Sequence, residues 1–305
     1  MVKILVIGNG SSGRRHSNNL LKLGFSPIVL TKCPNDSIGG VQYISTLDDV
    51  GDVEFAIVST YTALHLNSVE KILEMTKCKK ILIEKPIVDS VQKANSIKKL
   101  AEQRNTEIFV AYNMRFLEVF DIIRDLINCN ISDIRLVDIV AGQYLPEWQP
   151  YRDYRNSYSA HRNMGGGVDL DLSHEIDYMN WLFNKPKNIK LCVRKKISKL
   201  EIDSPDYFKG LYEYDNFLVD VQLDYFRSKE RSLKIILENR NLLFANFINK
   251  TIVVGDKKLE DEELFNFDES HVSELKEFLG VSNTKKLSTL DEAISVLTLL
   301  KLEEQ

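Results

Sequence analysis

Cysteine is scarce in this 305-residue chain, and its placement excludes more than its number does. Cys33, Cys78, Cys129 and Cys192 form no C-x-x-C pair. That argues against a zinc site or a disulfide framework and for reduced thiols in a cytoplasmic protein. The five histidines are dispersed too, with no H-E-x-x-H, so no metal is expected. Positive charge is not in excess. A net charge of −4 excludes a nucleic-acid binder that works through a basic surface. No apolar run reaches the roughly 18 residues that span a bilayer, and no membrane partner is expected. The first residues read as a strand and not as a signal peptide, because a glycine loop follows at once. Internal repeats and low-complexity segments are lacking as well. What is present is a 44% hydrophobic composition over a length that suits two domains.

Over the first 115 residues, short β-rich runs alternate with helical patterns. Strands are expected at 2–7, 26–30, 55–59, 80–83 and 107–111, with helices at 13–23, 63–75 and 91–104. Such alternation implies a parallel sheet with helices on both faces. The unbroken apolar runs Phe55-Ala56-Ile57-Val58 and Ile81-Leu82-Ile83 suit strands buried on both sides. Residues 116–128 read as a linking helix. Beyond it, 134–141, 189–197, 207–214, 217–225, 232–237, 241–246 and 251–254 read as strands. Tight turns such as Tyr214-Asp215-Asn216 and Glu238-Asn239-Arg240 join several of them, so this sheet is expected to be largely antiparallel. Helices at 271–279 and 291–302 close the chain, the second opened by a capping box of Thr289 and Glu292.

Gly8-Asn9-Gly10-Ser11-Ser12-Gly13 is a G-x-G-x-x-G run that follows a strand and opens a helix. In that context Gly8 permits the turn, Gly10 lets a pyrophosphate approach, and Gly13 lets helix and strand pack closely. The helix start, at Ser11 and Ser12, offers free N–H groups to phosphates. NAD calls for a carboxylate at the end of the second strand. That strand ends Val29-Leu30-Thr31-Lys32. Thr31 and Lys32 can receive a 2′-phosphate instead, which favours NADP, with NAD the alternative. Glu84-Lys85-Pro86 follows another strand, at the end where open α/β sheets bind ligands. An ammonium there can polarise a carbonyl or stabilise a developing alkoxide.

Gly165-Gly166-Gly167-Val168-Asp169-Leu170-Asp171-Leu172-Ser173-His174-Glu175-Ile176-Asp177 packs three glycines, four additional acidic side chains besides apolar ones, and one histidine into a short span. The apolar pattern from Val168 predicts a helix. On it Asp171 and His174 share a face, and Asp177 lies beside His174 on the next turn. A carboxylate next to an imidazole holds and tunes a proton-transfer group near neutral pH.

In their order and spacing these segments resemble the Gfo/Idh/MocA oxidoreductases, the family of glucose–fructose oxidoreductase and inositol dehydrogenase. Residues 59–65, the junction Tyr112-Asn113-Met114-Arg115-Phe116 and the closing helices share the resemblance. It implies an α/β Rossmann domain at 1–115, followed at 116–305 by an α+β domain with an open, mostly antiparallel sheet. The last helix is free to pack back on the first domain. It further implies hydride transfer between nicotinamide and a carbohydrate or sugar-nucleotide substrate, with a link to surface polysaccharides. Lys85, Asp171 and His174 are the catalytic candidates it implies. Gly8, Gly10, Ser11, Ser12, Gly13, Thr31, Lys32, Thr60, His65, Glu84 and Lys85 would face the cofactor. Relatives form homodimers or homotetramers, some through the open sheet. Histidine follows aspartate by three residues here where the family pattern has four, so Glu175 stands as an alternative to His174. Tyr61 replaces the usual proline after Thr60. An aromatic and arginine-rich stretch from Tyr144 to Arg162 precedes the glycines; Tyr154, Arg155 and Arg162, with Arg115, are substrate candidates. The run Arg194-Lys195-Lys196 reads as a solvated edge strand. His16 reads either as a phosphate neighbour or as a packing residue. The rival function is a catalytically silent dinucleotide-binding regulator or scaffold of the same fold.

Overall fold

The computed structural model describes residues 2–32, 38–48, 50–148, 150–238 and 242–302. Cys33 and the expected turn at 239–240 lie outside them; Cys78, Cys129 and Cys192 are free thiols. In chain order the strands are β1 (Ile4–Ile7), β2 (Ile28–Leu30), β3 (Gln42–Ile44), β4 (Val53–Val58), β5 (Cys78–Glu84), β6 (Glu107–Ala111), β7 (Ile134–Gly142) and β8 (Asn188–Lys195). They continue as β9 (Tyr207–Glu213), β10 (Leu218–Asp224), β11 (Glu230–Leu237), β12 (Leu242–Asn246), β13 (Thr251–Val254), β14 (Lys257–Glu260) and β15 (Ser288–Thr289). The helices are α1 (Ser11–Lys22), α2 (His65–Met75), α3 (Val91–Arg104), α4 (Val119–Asn130), α5 (Val168–Asp171), α6 (His174–Phe183), α7 (Phe267–Phe278) and α8 (Leu290–Leu299).

These elements divide into two compact units. The first holds the chain up to Asn113 together with Ser270–Leu297 and Leu302; the second holds Met114–Glu269 and Thr298–Lys301. The sequence places the division two residues later and assigns α7 to the second domain, while leaving the last helix free to join the first, as it does up to Leu297. The apolar face of α7 explains the difference. Leu275 and Phe278 are fully buried in one cluster with Ile4, Val6, Ile57 and Leu82 of the first sheet. Phe278 also meets Phe55 and Phe109 edge-on, with centroids 5.4 and 6.4 Å apart.

The sheet of the first unit runs β15-β6-β5-β4-β1-β2-β3. All neighbours are parallel except β15 against β6. Order 3-2-1-4-5-6 is that of a Rossmann fold, and its switch point lies between β1 and β4. Ile4–Ile7 and Ile81–Ile83 are buried without interruption, as strands covered on both faces must be. The sequence misses β3, whose three residues Gln42-Tyr43-Ile44 are too few and too exposed to show a pattern. Thr289 and Glu292 form the expected capping box: the Thr289 N–H donates to Glu292 Oε2 at 2.8 Å, and the Glu292 N–H to Thr289 Oγ1 at 3.3 Å.

The second unit holds an eight-stranded sheet, β14-β13-β12-β11-β7-β10-β9-β8. Only β7 and β10 are parallel. Alternation marks its two faces: Phe208, Tyr212, Val219, Val221, Ile139 and Leu233 are fully buried, while Lys209, Leu211, Asp220, Gln222 and Asp138 on the other face are half-buried. The helix expected from Val168 onwards is broken. Leu172, at φ −104° and ψ 32°, ends α5, and α6 starts at His174. Asp171 and His174 therefore sit on two helices and not on one face of one.

Candidate active site

At the switch point, α1 approaches β1 and β4 too closely for any side chain. A Cβ on Gly13 would stand 2.1 Å from the Gly8 carbonyl oxygen and 2.7 Å from Ser59 Oγ. Gly10, the N-cap, is different: a Cβ there meets nothing within 4 Å. Packing does not require this glycine, whereas a phosphate approaching the backbone does. The first turn of α1 has no side-chain cap and no acidic residue. Its leading N–H groups, at Ser11, Ser12 and Gly13, are the ones that no helix can satisfy internally. These residues fit a dinucleotide pyrophosphate. Thr31 follows β2 half-buried, and Lys32 is exposed beside it.

Thr60 follows β4, with its hydroxyl 3.3 Å from that of Ser68. Glu84 ends β5, and half-buried Lys85 comes next, joined to Pro86 by a cis peptide. Glu84 is held from α1: His16, with no exposed surface, places Nε2 3.0 Å from Glu84 Oε1, and Arg15 reaches the same oxygen at 3.4 Å. Burial works against the Glu84 charge. The His16 hydrogen bond and the charges of His16, Arg15 and His271 outweigh it and hold the carboxyl well below the usual range. His16 is thus a buried partner of Glu84, not a phosphate ligand.

His65, expected at the cofactor, turns inward. It is 1% exposed, and both ring nitrogens face main-chain carbonyls: Nδ1 those of Pro86 (3.1 Å) and Ile87 (3.0 Å), Nε2 that of Thr60 (3.1 Å). Burial lowers its pKa, with the carbonyls and Glu84 opposing.

In the second unit the sequence 165–177 is fastened residue by residue. Gly166 leaves no room for a side chain, since a Cβ would lie 2.2 Å from the Tyr158 carbonyl oxygen. Asp169 pairs with Arg194 at 2.6 Å, Asp171 accepts from the Tyr225 hydroxyl at 2.6 Å, and Glu175 pairs with Arg231 at 2.8 Å. Asp177 accepts two bonds from Arg115, at 2.8 and 2.7 Å. Burial raises the Asp169 pKa against the pull of Arg194. The Tyr225 phenol is pushed well up by burial and by the Asp171 charge, so it remains a donor. Trp148 packs edge-on against that phenol, 5.2 Å between centroids.

Several expectations change here. Asp177 accepts the paired bonds of Arg115. Arg115, a substrate candidate, is 1% exposed and occupied by Asp177. Arg194 is not solvated; its side chain is 16% exposed and answers Asp169. Tyr154 Oη accepts from the Glu201 N–H, and Arg155 is paired with Asp153 (2.7 Å) and Glu201 (3.3 Å), while Arg162 is exposed. Tyr225, Arg231 and His271 carry no sequence signal for these roles. Lys85 belongs to the first unit, Asp171 and His174 to the second.

Residues 2–112 match the family model described as an oxidoreductase family with an NAD-binding Rossmann fold, Gfo/Idh/MocA. The scyllo-inositol 2-dehydrogenase (NADP(+)) of Bacillus subtilis is 24% identical over 225 residues, which cover 70% of this chain but only 60% of that protein. Among solved structures, the WlbA dehydrogenase of Bordetella pertussis, in complex with NADH and UDP-GlcNAcA, superposes with a TM-score of 0.82 at 15% identity, covering 99% of this chain and 94% of that one. Levoglucosan dehydrogenase in complex with NADH and levoglucosan does so with a TM-score of 0.80 at 14% identity, covering 99% and 95%. At such identities the likeness is one of fold.

Gly13→Ala is expected to destabilise the protein by about 3 kcal/mol or more in urea denaturation, through the clash with Gly8. Gly10→Ala should change stability by less than about 0.5 kcal/mol yet weaken NAD(P)H binding at least tenfold (~1.4 kcal/mol). Equal effects of the two would remove the phosphate role of Gly10. A second expectation concerns pH. Burial, then the charge of Arg15, pushes His271 down to about 3. Its unfolded value lies near 6.5, so the unfolded chain binds the extra proton between those values. His271 then supports the fold above roughly pH 6.5 and loses that support as pH falls. Between pH 7 and 5 the wild type should lose about 2 kcal/mol more than His271→Gln in paired urea titrations.

Proposed function

We infer that this chain, whose amino-terminal domain belongs to the Gfo/Idh/MocA oxidoreductases, transfers a hydride between a nicotinamide cofactor and a hydroxyl or keto carbon of a sugar, polyol or sugar nucleotide. The observation that carries this is the buried fastening of 169–177, in which every carboxylate has its own partner around His174. The named activity of the inositol dehydrogenase relative and the sugar ligands of the two structural neighbours support the substrate class.

A bound nicotinamide would accept or return the hydride. In the oxidising direction the alcohol carbon gives up that hydride and its hydroxyl gives a proton to His174, leaving a carbonyl. The Lys85 ammonium donates to the reacting oxygen and stabilises negative charge as it develops. Asp171, fixed through Tyr225, would orient a substrate hydroxyl or the imidazole. Glu175 is completely buried on Arg231, so His174, 9% exposed, is the better proton carrier. Tyr154 and Arg162 remain candidates for a sugar or phosphate group; Arg155 has its charge answered locally. The absence of a carboxylate at Thr31-Lys32 favours NADP. Cytoplasmic placement suits the free thiols. A homodimer or homotetramer through the half-buried sheet face, and work on surface polysaccharides, complete the proposal.

Lys85→Met should lower kcat/KM by about 10² to 10³ with NAD(P)H affinity nearly unchanged, measured by nicotinamide absorbance on a panel of inositols, sugars and sugar nucleotides. A near-normal rate would remove the assigned role. In fluorescence titrations NADPH should bind roughly ten times more tightly than NADH, the scale of one charge-assisted contact. Lys32→Ala should abolish that preference; an NADH preference in the wild type would reverse the cofactor assignment.

A further inference from the structure

Lys85 sits between two buried histidines that the proposed chemistry does not use. The residue before it, Glu84, is bound by His16 of α1 at 3.0 Å. The two residues after it, Pro86 and Ile87, present their carbonyls to Nδ1 of His65 at 3.1 and 3.0 Å. The opposite edge of the His65 ring faces the Thr60 carbonyl at 3.1 Å. Neither ring has room to move, at 0% and 1% exposure. An imidazole is well suited to such a place: it is rigid, its single N–H in the neutral form donates to a carbonyl on one edge, and its opposite edge packs against the other loop, so one ring spans two loops.

We propose that His16 and His65 are positioning residues that clasp the segment on both sides of Lys85, His16 through the Glu84 carboxylate and His65 through the Pro86 and Ile87 carbonyls, and tie it to the two cofactor-facing segments. His16 ties it to the helix whose first turn holds Gly10, Ser11 and Ser12. His65 ties it to the loop after β4, at Thr60. The proposal rests on the role assigned to Lys85 above. An ammonium on a four-carbon stem has many rotamers, and its reach is set first by where the fold holds its Cα. Holding residues 84, 86 and 87 fixes that Cα and narrows the volume the amine samples. Misplacement of a catalytic group by about 1 Å can cost 10² in rate, so the clasp should appear in turnover more than in binding.

The test is a double-mutant cycle on the full-length protein. His65→Leu removes the bridge and His65→Gln keeps a donor. His65→Leu should lower kcat about tenfold or more, leave KM for the sugar within about threefold, and be partly rescued by His65→Gln. Placed on Lys85→Met, the same change should add little, because residues that act through one group are not additive. An equal fall in both backgrounds would overturn the proposal. A readout independent of turnover is the rate at which an amine-reactive ester acylates Lys85, followed by peptide mass spectrometry, with exposed Lys99 as the internal control. Lys85 should label several times faster in His65→Leu than in the wild type, Lys99 equally in both. Unchanged Lys85 labelling in a folded variant overturns the clasp. If His65→Leu does not fold, His16→Gln against His16→Asn gives the same comparison from the other side: Gln keeps the reach to Glu84 and Asn loses it. A wild type that oxidises no carbohydrate, yet shows the labelling response, would sink the dehydrogenase assignment and leave the clasp standing.

Discussion

A carboxylate taken out of water must be paired or neutralised, because desolvation alone costs several kcal/mol. Much of this structure follows from how that demand is met. Glu84 is answered from α1 by His16 and Arg15. Asp169, Glu175 and Asp177 are answered by arginines from β8, β11 and the segment before α4. Asp171 takes a phenol instead. That difference matters. An arginine would pair the carboxylate with a full positive charge, whereas the tyrosine fixes it through a hydroxyl hydrogen bond.

The break between α5 and α6 belongs to the same logic. In an unbroken helix, residues three or four apart project from one side, and Asp171, His174 and Asp177 would crowd the same neighbours. With Leu172 out of helical geometry, Asp169 and Asp171 meet Arg194 and Tyr225 while Glu175 and Asp177 meet Arg231 and Arg115. Arg115 in turn lies over Trp181, 5.5 Å from the ring centre, with Arg124 at 5.0 Å on the same ring. The buried ion pair is thereby enclosed by aromatic surface.

The Rossmann half was legible because its signals are local. A strand, three spaced glycines and a helix start are contiguous, and the fully apolar strands announce their burial. The expected 107–111, 91–104 and 251–254 coincide with β6, α3 and β13. What stayed hidden depends on partners distant in sequence. The break at Leu172 left no trace, since nearly every side chain of α6 is buried and its apolar pattern does not register a face. His65 looked like a cofactor ligand because nothing local shows which carbonyls its ring will meet. Arg194 looked solvated because its partner lies 25 positions earlier in the chain, on a helix outside its own strand. The strand β14 was missed because Lys257-Lys258-Leu259-Glu260 is exposed throughout and alternates nothing.

These costs also bear on the choice between an enzyme and a silent scaffold. Replacing a buried ion pair by apolar residues of similar size is often neutral or stabilising, so buried pairs are weak evidence for stability as such. A scaffold needing only a dinucleotide pocket and a second domain could replace both members of each pair at 169, 171 and 175 by apolar residues at little cost. This chain places three carboxylates there, supplies each with a specific donor, and sets a buried histidine among them. Glu84 repeats the pattern beside Lys85, at the other candidate group. Charge is retained where proton transfer and oxyanion stabilisation would use it, and it is held in fixed positions. Preorganisation of that kind is what a developing transition-state charge would draw on.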